Sequence, residues 1–178
     1  MRRIKAKQQK PDKPETFFES KKKMTIAGLA VIAAILIIGV FIYIENTDNK
    51  IVISNKTDLN IEYLKAYYVG PEEAYNEGIN VTDLTAGKTE SIPQETINLF
   101  GAEANLEIRF KFEGYEELFV DSGYFNDVFS GKTTINFIPG KDDKITMTVK
   151  AKNGIINSKA IVCDDYYTIN LAEGYIED

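Results

Sequence analysis

The chain has no histidine and a single cysteine, Cys163. Without histidine there is no Ser-His or Cys-His nucleophile pair and no His-bound metal. The commonest general base and the ordinary side-chain switch near neutral pH are missing too. One cysteine permits neither an intrachain disulfide nor a cysteine-cluster metal site. Cys163 closes the apolar stretch Ala160-Ile161-Val162-Cys163, where it reads as a small buried hydrophobe; the alternative is an intermolecular disulfide outside the cell. No glycine-rich phosphate loop precedes a helix, which disfavours nucleotide binding. No EF-hand loop with its central Gly and closing Glu is present. No cofactor is expected; the pairs Asp142-Asp143 and Asp164-Asp165 leave a surface calcium site as the one opening.

One stretch lacks charge altogether. Met24 to Ile44 reads MTIAGLAVIAAILIIGVFIYI, with Lys21, Lys22 and Lys23 directly before it and Glu45 and Asp48 after. As a helix it is about 31 Å long, the hydrocarbon thickness of a bilayer. A single span must be helical, because only a helix or a closed barrel satisfies its backbone in lipid. Tyr43 sits near the outer end, where an amphipathic ring suits the headgroup level. Residues 1–23 hold nine basic residues against three acids, whereas the whole chain carries −6, so residues 45–178 carry −12. Basic flanks stay on the cytoplasmic side, which predicts an N-terminus inside and a C-terminal domain outside the cell membrane. A cleavable signal peptide has a shorter apolar core and a small-x-small site; Ile42-Tyr43-Ile44-Glu45 offers none, so an uncleaved signal anchor is expected. Ala30-x-x-x-Ala34 is the one small-residue spacing in the span through which a partner helix could pack.

The basic tail, residues 1–23, is polar and broken by Pro11 and Pro14, and is expected to be disordered. Its lysines suit anionic headgroups. Residues 45–49 form a short linker that leaves almost no stalk.

From residue 50 to 171, runs rich in Ile, Val, Thr, Tyr and Phe alternate with Gly, Pro, Asn and Asp, the pattern of strands. Strands are predicted at 50–55, 60–69, 88–92, 105–112, 117–121, 133–138, 144–150, 157–163 and 167–171. Leu106, Ile108, Phe110 and Phe112 alternate with Glu107, Arg109 and Lys111, and Ile145, Met147 and Val149 repeat the pattern. One buried and one wet face predict antiparallel sheets. Pro139 to Asp143 and Asn153-Gly154 read as hairpin turns; Pro71 to Tyr75 reads as one helical turn. The expected fold is an all-β antiparallel domain, an immunoglobulin-like β-sandwich, with a small barrel as the alternative. Residues 172–178 read as an acidic tail, mobile apart from Tyr175 and Ile176.

The Asn-x-Thr turn Asn55-Lys56-Thr57, the strand opening at Ile61 and the Leu-x-x-Gly corner Leu84-Thr85-Ala86-Gly87 resemble a pattern of bacterial extracytoplasmic β-modules. The resemblance covers about a third of the domain and implies an adhesive, scaffolding or assembly role at a bacterial surface. It transfers no catalytic residue. Asn55-Lys56-Thr57 and Asn80-Val81-Thr82 also match the glycosylation sequon.

Carboxylates are the only plentiful reactive groups. Asp121, Asp127, Asp164 and Asp165 are the candidates for a wall-glycan hydrolase, which needs two carboxyls flanking a cleft; solvated loop charges are the plainer reading. An outside domain at −12 repels nucleic acid and suits a cationic partner. Tyr63, Tyr67, Tyr68, Tyr75, Tyr115, Tyr124, Tyr166, Tyr167 and Tyr175 fit either an interface or half-buried strands. The aromatic segment Gly123 to Phe129 is the best functional loop, with Tyr124, Phe125, Val128 and Phe129 as the interaction patch if exposed and a cap on the core if packed. The expected protein is a non-enzymatic, single-pass surface protein, seated in lipid through residues 24–44, whose β-domain binds an envelope protein or cell-wall component. An accessory subunit packing through its helix and a carboxylate hydrolase are the alternatives.

Overall fold

The computed structural model describes residues 17–47, 49–142, 144–154 and 158–177. The chain divides into two units, Met1–Phe41 and Ile42–Asp178. Helix α1 runs from Phe17 to Thr47. Its segment Lys23–Tyr43 is long and apolar enough to cross a membrane, and a signal sequence would meet the same test. Every side chain of that segment is exposed. The helix is longer than the apolar run at both ends. Residues 17–23, expected to be disordered, form its first turns, and residues 45–47 of the expected linker form its last, because adding a residue to an existing helix costs far less than nucleating one. Residues 1–16 of the basic tail lie outside the described residues.

The strands are β1 Lys50–Asn55, β2 Ile61–Val69, β3 Ile79–Leu84, β4 Thr89–Pro93, β5 Ile97–Asn98, β6 Ala104–Phe112, β7 Glu117–Phe125, β8 Val128–Phe129, β9 Lys132–Pro139, β10 Ile145–Lys152, β11 Ile161–Val162, β12 Asp164–Asn170 and β13 Tyr175–Glu177. One sheet has the order β13-β12-β10-β9-β1-β4, a second β11-β7-β6-β2-β3, and β5 pairs β8 in a small third. Period-two alternation drives the buried faces of the two larger sheets together. Leu106, Ile108, Phe110 and Phe112 from one face, and Ile135, Phe137, Met147 and Val149 from the other, are fully buried in a common core. Phe137 packs edge-on against Phe110 and Phe112 across the sheets, with ring centroids 5.1 and 5.5 Å apart. Such pairs add about 0.5–1.5 kcal/mol each beyond the area they bury.

Among the described residues the pairing is antiparallel with one exception. β1 runs parallel to β9, Lys50 opposite Lys132 through Asn55 opposite Phe137. The expectation of purely antiparallel sheets is corrected there. A parallel pair needs a long connection, and everything from β2 to β8 lies between these two strands.

Local signals misled at three further places. Pro71 to Tyr75 is not helical: Gly70 N–H donates to Glu73 O, Tyr75 N–H donates to Tyr68 O, and Val69 bridges Ala74. β3 is a strand that its polar Asn80, Thr82 and Asp83 conceal, since an edge strand buries only Ile79, Val81 and Leu84. Asn153-Gly154 does not join a hairpin, because β10 pairs with β9 and β12 while β11 adds to the other sheet. In the acidic tail, Tyr175 and Ile176, the two residues not expected to be mobile, pair with β12 together with Glu177.

Candidate interaction surface

The expected four-residue patch divides along the strand period. β7 continues to Phe125, and β8 follows at Val128. Phe125 and Phe129 are fully buried, so they are corrected from surface to core. They pack with Tyr68 at centroid separations of 5.0 and 6.0 Å, and with each other at 5.4 Å. Tyr124 and Val128 point outward and keep 39% and 43% of their surface. Gly123 allows this route: its φ is +70°, and a Cβ there would lie 2.6 Å from Cys163 Cβ. The segment therefore caps the core and presents two side chains.

Tyr124 belongs to a different surface. Val162, opposite it in the β7–β11 register, is 61% exposed, and Tyr166 on β12 is 58% exposed. These three side chains, with Asp121, Asp164 and Asp165, line an open groove of about 540 Å³. Asp165 fixes the groove floor: its Oδ2 accepts from Ser122 Oγ at 2.7 Å and from Gly123 N–H at 2.6 Å. Tyr167 O–H donates to Asp121 O at 2.9 Å. Side chains of β12 thereby occupy backbone groups along the edge of β7 that would otherwise invite another strand. Asp164 accepts from Lys150 Nζ at 2.5 Å. Burial, reinforced by Glu107 and opposed by Arg109, raises the Asp121 carboxyl above its ordinary range.

Three of the four candidate carboxylates therefore meet at one groove. Asp127 is not among its lining residues: it accepts from Ser158 Oγ and Val128 N–H, which hold it below the usual carboxylate range. Two groove carboxylates already have partners, Asp165 in hydrogen bonds and Asp164 in an ion pair. Chemically, the arrangement suits a cationic group flanked by apolar surface. No cluster of three or more His, Cys, Asp or Glu that could hold a metal occurs among the described residues. Asp142 lies in the β9–β10 turn with φ of 54°, and Asp143 lies outside the described residues.

Next to the groove, the outer face of the second sheet carries an aromatic and ionic lattice. Arg109 donates to Glu107 and Glu117 at 2.6 and 3.1 Å and sits 4.9 Å over the ring of Phe119. Tyr67 O–H donates to Glu107, and Tyr63 O–H donates to Glu117 at 2.6 Å. Burial first, then the Glu117 hydrogen bond, pushes the Tyr63 phenol up to about 12; the Tyr63 and Arg109 hydrogen bonds hold Glu117 down.

The other tyrosines scatter. Tyr68 and Tyr167 are core, Tyr115 packs against it, and Tyr75 and Tyr175 are exposed elsewhere. Cys163 is buried beside Ser122, and burial pushes its thiol up to about 11. Lys21, Lys22 and Lys23 fall within α1.

Val162 and Phe119 were missed as surface residues. Alternation holds their signal, since Ile161 and Cys163 face inward around Val162, and Val120 is buried beside Phe119. In comparison with known proteins, no family model, no curated protein and no solved structure matches the chain.

Proposed function

We propose that this chain is a non-enzymatic, single-pass membrane protein with its N-terminus in the cytoplasm. An immunoglobulin-like β-sandwich outside the cell would bind an envelope protein or cell-wall component. The uncharged run 24–44, set between a +6 segment and a −12 segment, supports the anchor and its direction. The core shared by two β-sheets supports the sandwich. The observation that carries the binding role is the exposure of Tyr124, Val162 and Tyr166 around one acidic groove. Aromatic side chains offer large contact area at low entropic cost, and the carboxylates select a partner segment bearing Lys or Arg.

A photo-reactive amino acid at Tyr124 or Tyr166 of the full chain in intact cells tests this. A discrete adduct is expected, lost when Val162 is replaced by Asp while the β-sheet circular dichroism spectrum stays unchanged. Equal capture from a site in the β9–β10 turn, such as Lys141, would overturn the assignment. A reporter after Asp178 should be active only outside the cytoplasm.

The hydrolase reading retains one observation, the raised Asp121 carboxyl beside Asp164 and Asp165. Release of sugar from wall glycan by the wild-type chain, abolished in Asp121→Asn, would replace the binding role with that one.

A further inference from the structure

Three buried polar groups meet between the two larger sheets. Tyr68 O–H, Thr133 Oγ1 and Gln94 Nε2 have no hydrogen-bond partner among the described residues. Tyr68 and Thr133 are core residues, 1% and 0% exposed. Tyr68 comes from β2 of the second sheet and Thr133 from β9 of the first, and Gln94 directly follows β4. Alternation gives Gln94 the face of Ile92, two positions earlier, which packs against the core. Gln94 and Thr133 approach the Tyr68 hydroxyl without closing a bond. A buried polar group without a partner opposes folding, and native interiors hold few of them.

A cleft of about 500 Å³ opens beside them, on the side where β3 and β4 are the last strands of the two larger sheets. Its floor is apolar and drawn from both sheets: Ile51 of β1, Ala66 of β2 and Ile79 of β3. Gln94 joins the cleft to the polar cluster, because it lines the cleft while its amide nitrogen is buried. Ile51 makes the same connection: it lines the cleft and stands opposite Thr133 in the β1–β9 register. Both walls are fixed. Asn76 Oδ1 accepts from Tyr68 N–H at 2.9 Å, and Gln94 N–H donates to Asn49 O at 3.1 Å. Gly78, with φ of +75°, lies so close to β2 that a Cβ there would stand 2.2 Å from Ala66 O. Glu77 and Glu95 stand exposed at the rim.

These features set the chemistry of an occupant. Gln94 Nε2 only donates, whereas the two protein hydroxyls both donate and accept. A ligand hydroxyl has one donor and two acceptor sites, so it can bond to all three groups at once. A carbonyl oxygen, with two lone pairs and no proton, leaves one of them unmet. The apolar floor suits a compact hydrocarbon body, and the rim carboxylates repel an anion. We propose that this cleft binds a small neutral alcohol, with its hydroxyl held by Gln94, Tyr68 and Thr133 and its apolar body on Ile51, Ala66 and Ile79. The site shares no lining residue with the acidic groove and depends neither on that surface nor on the membrane anchor. It gives a reason for polar groups that cost the domain stability: the ligand supplies the partner they lack.

The test uses the full chain in detergent micelles, with its glutamines isotopically labelled for nuclear magnetic resonance. The Gln94 side-chain amide is the reporter, assigned from its loss in Gln94→Glu; Gln8 and Gln9 are the only other glutamines and serve as controls. Benzyl alcohol is the probe. It should shift the Gln94 amide saturably and leave those of Gln8 and Gln9 in place. Toluene, the same body without the oxygen, and benzoate, the anion, should each bind about fivefold more weakly or less. Thr133→Val keeps the side-chain shape and Tyr68→Phe keeps the ring. Each should weaken benzyl alcohol about fivefold, with an unchanged β-sheet spectrum. A shift that does not saturate, equal binding of toluene and benzyl alcohol, or an affinity untouched by both substitutions overturns the site. So does a long-lived water on the Gln94 amide that the probe fails to displace.

Discussion

Asn55 closes the turn between β1 and β2 with every hydrogen-bonding group it has. The residue is fully buried. Its Nδ2 donates to Leu59 O at 2.8 Å and to Leu84 O at 3.2 Å. Its Oδ1 accepts from Thr57 N–H at 3.2 Å and from Thr57 Oγ1 at 2.7 Å. Two donors and two acceptor sites are thus all in use, and they tie the turn to the end of β3. Asn55→Ala removes these bonds, each with a net contribution of about 1 kcal/mol, and strands Leu84 O in the interior. The expected loss is about 3–4 kcal/mol, a large share of the roughly 5–15 kcal/mol that holds a domain folded. Asn55→Asp keeps the acceptor, removes both donors, and places a carboxylate against two carbonyl oxygens. It should cost more than Ala at neutral pH. Because the native state would then favour the protonated acid, that excess should shrink as pH falls through the raised native value. Urea unfolding of the full chain in micelles, followed by strand circular dichroism, measures both. A loss under about 1 kcal/mol for Ala, or Asp equal to Ala at neutral pH, would refute the assignment of these bonds as the fastening of the turn. The same burial removes Asn55 as a glycan acceptor in the folded domain, although it heads a sequon.

Tyr68 is core, and its hydroxyl, Thr133 Oγ1 and Gln94 Nε2 have no hydrogen-bond partner among the described residues. Thr133 and Gln94 sit close enough to favour the phenolate, while burial pushes the phenol strongly upward. Tyr68→Phe should therefore stabilise the domain by about 1 kcal/mol, seen as a rise in urea midpoint; a loss of that size would mean that a bridging water satisfies all three. Cys163, with its thiol pushed up to about 11 by burial, should resist alkylation at neutral pH until urea unfolds the domain; labelling of native protein at the rate of a free thiol would show otherwise. Asp121 is raised by burial, so its charged form opposes folding. Asp121→Asn should gain stability at neutral pH, and the gain should vanish in acid below the unfolded carboxylate range, as a pH series of urea midpoints would show. Glu117 is lowered, so its contribution is present above the unfolded value and lost as pH falls through the native one. Glu117→Gln should lose a little stability at neutral pH, reduced by solvent screening, and nothing in strong acid.

Strands that bury one face declare themselves by alternation. Leu106, Ile108, Phe110 and Phe112, and Ile145, Met147 and Val149, are all buried on the side that the pattern assigns. β3 escaped because an edge strand does not need every alternate position to be strongly apolar. Asn153-Gly154 is a sound hairpin signal, yet β10 already has β9 and β12 as partners, so the next strand crosses to the other sheet. Of the candidate surface, Tyr124 was legible and its neighbours Phe125 and Phe129 were misassigned, because an aromatic cluster in a chain does not say which rings face in. Val162 and Tyr166 reach the groove only because β11 adds to β7 and β12 crosses beside it.

By itself, the sequence determined the apolar helix, the change to β-structure after it, the charge difference between the two ends, and the chemistry excluded by missing histidine. Those are properties of composition and short-range period, which a single chain carries along its length. The tertiary structure alone decided the parallel pairing of β1 with β9 and the meeting of Asp121, Asp164 and Asp165 around Tyr124, Val162 and Tyr166. Each of these depends on which distant strands become neighbours. That is settled by the joint burial of both sheet faces in one core, a condition no local stretch of residues can express.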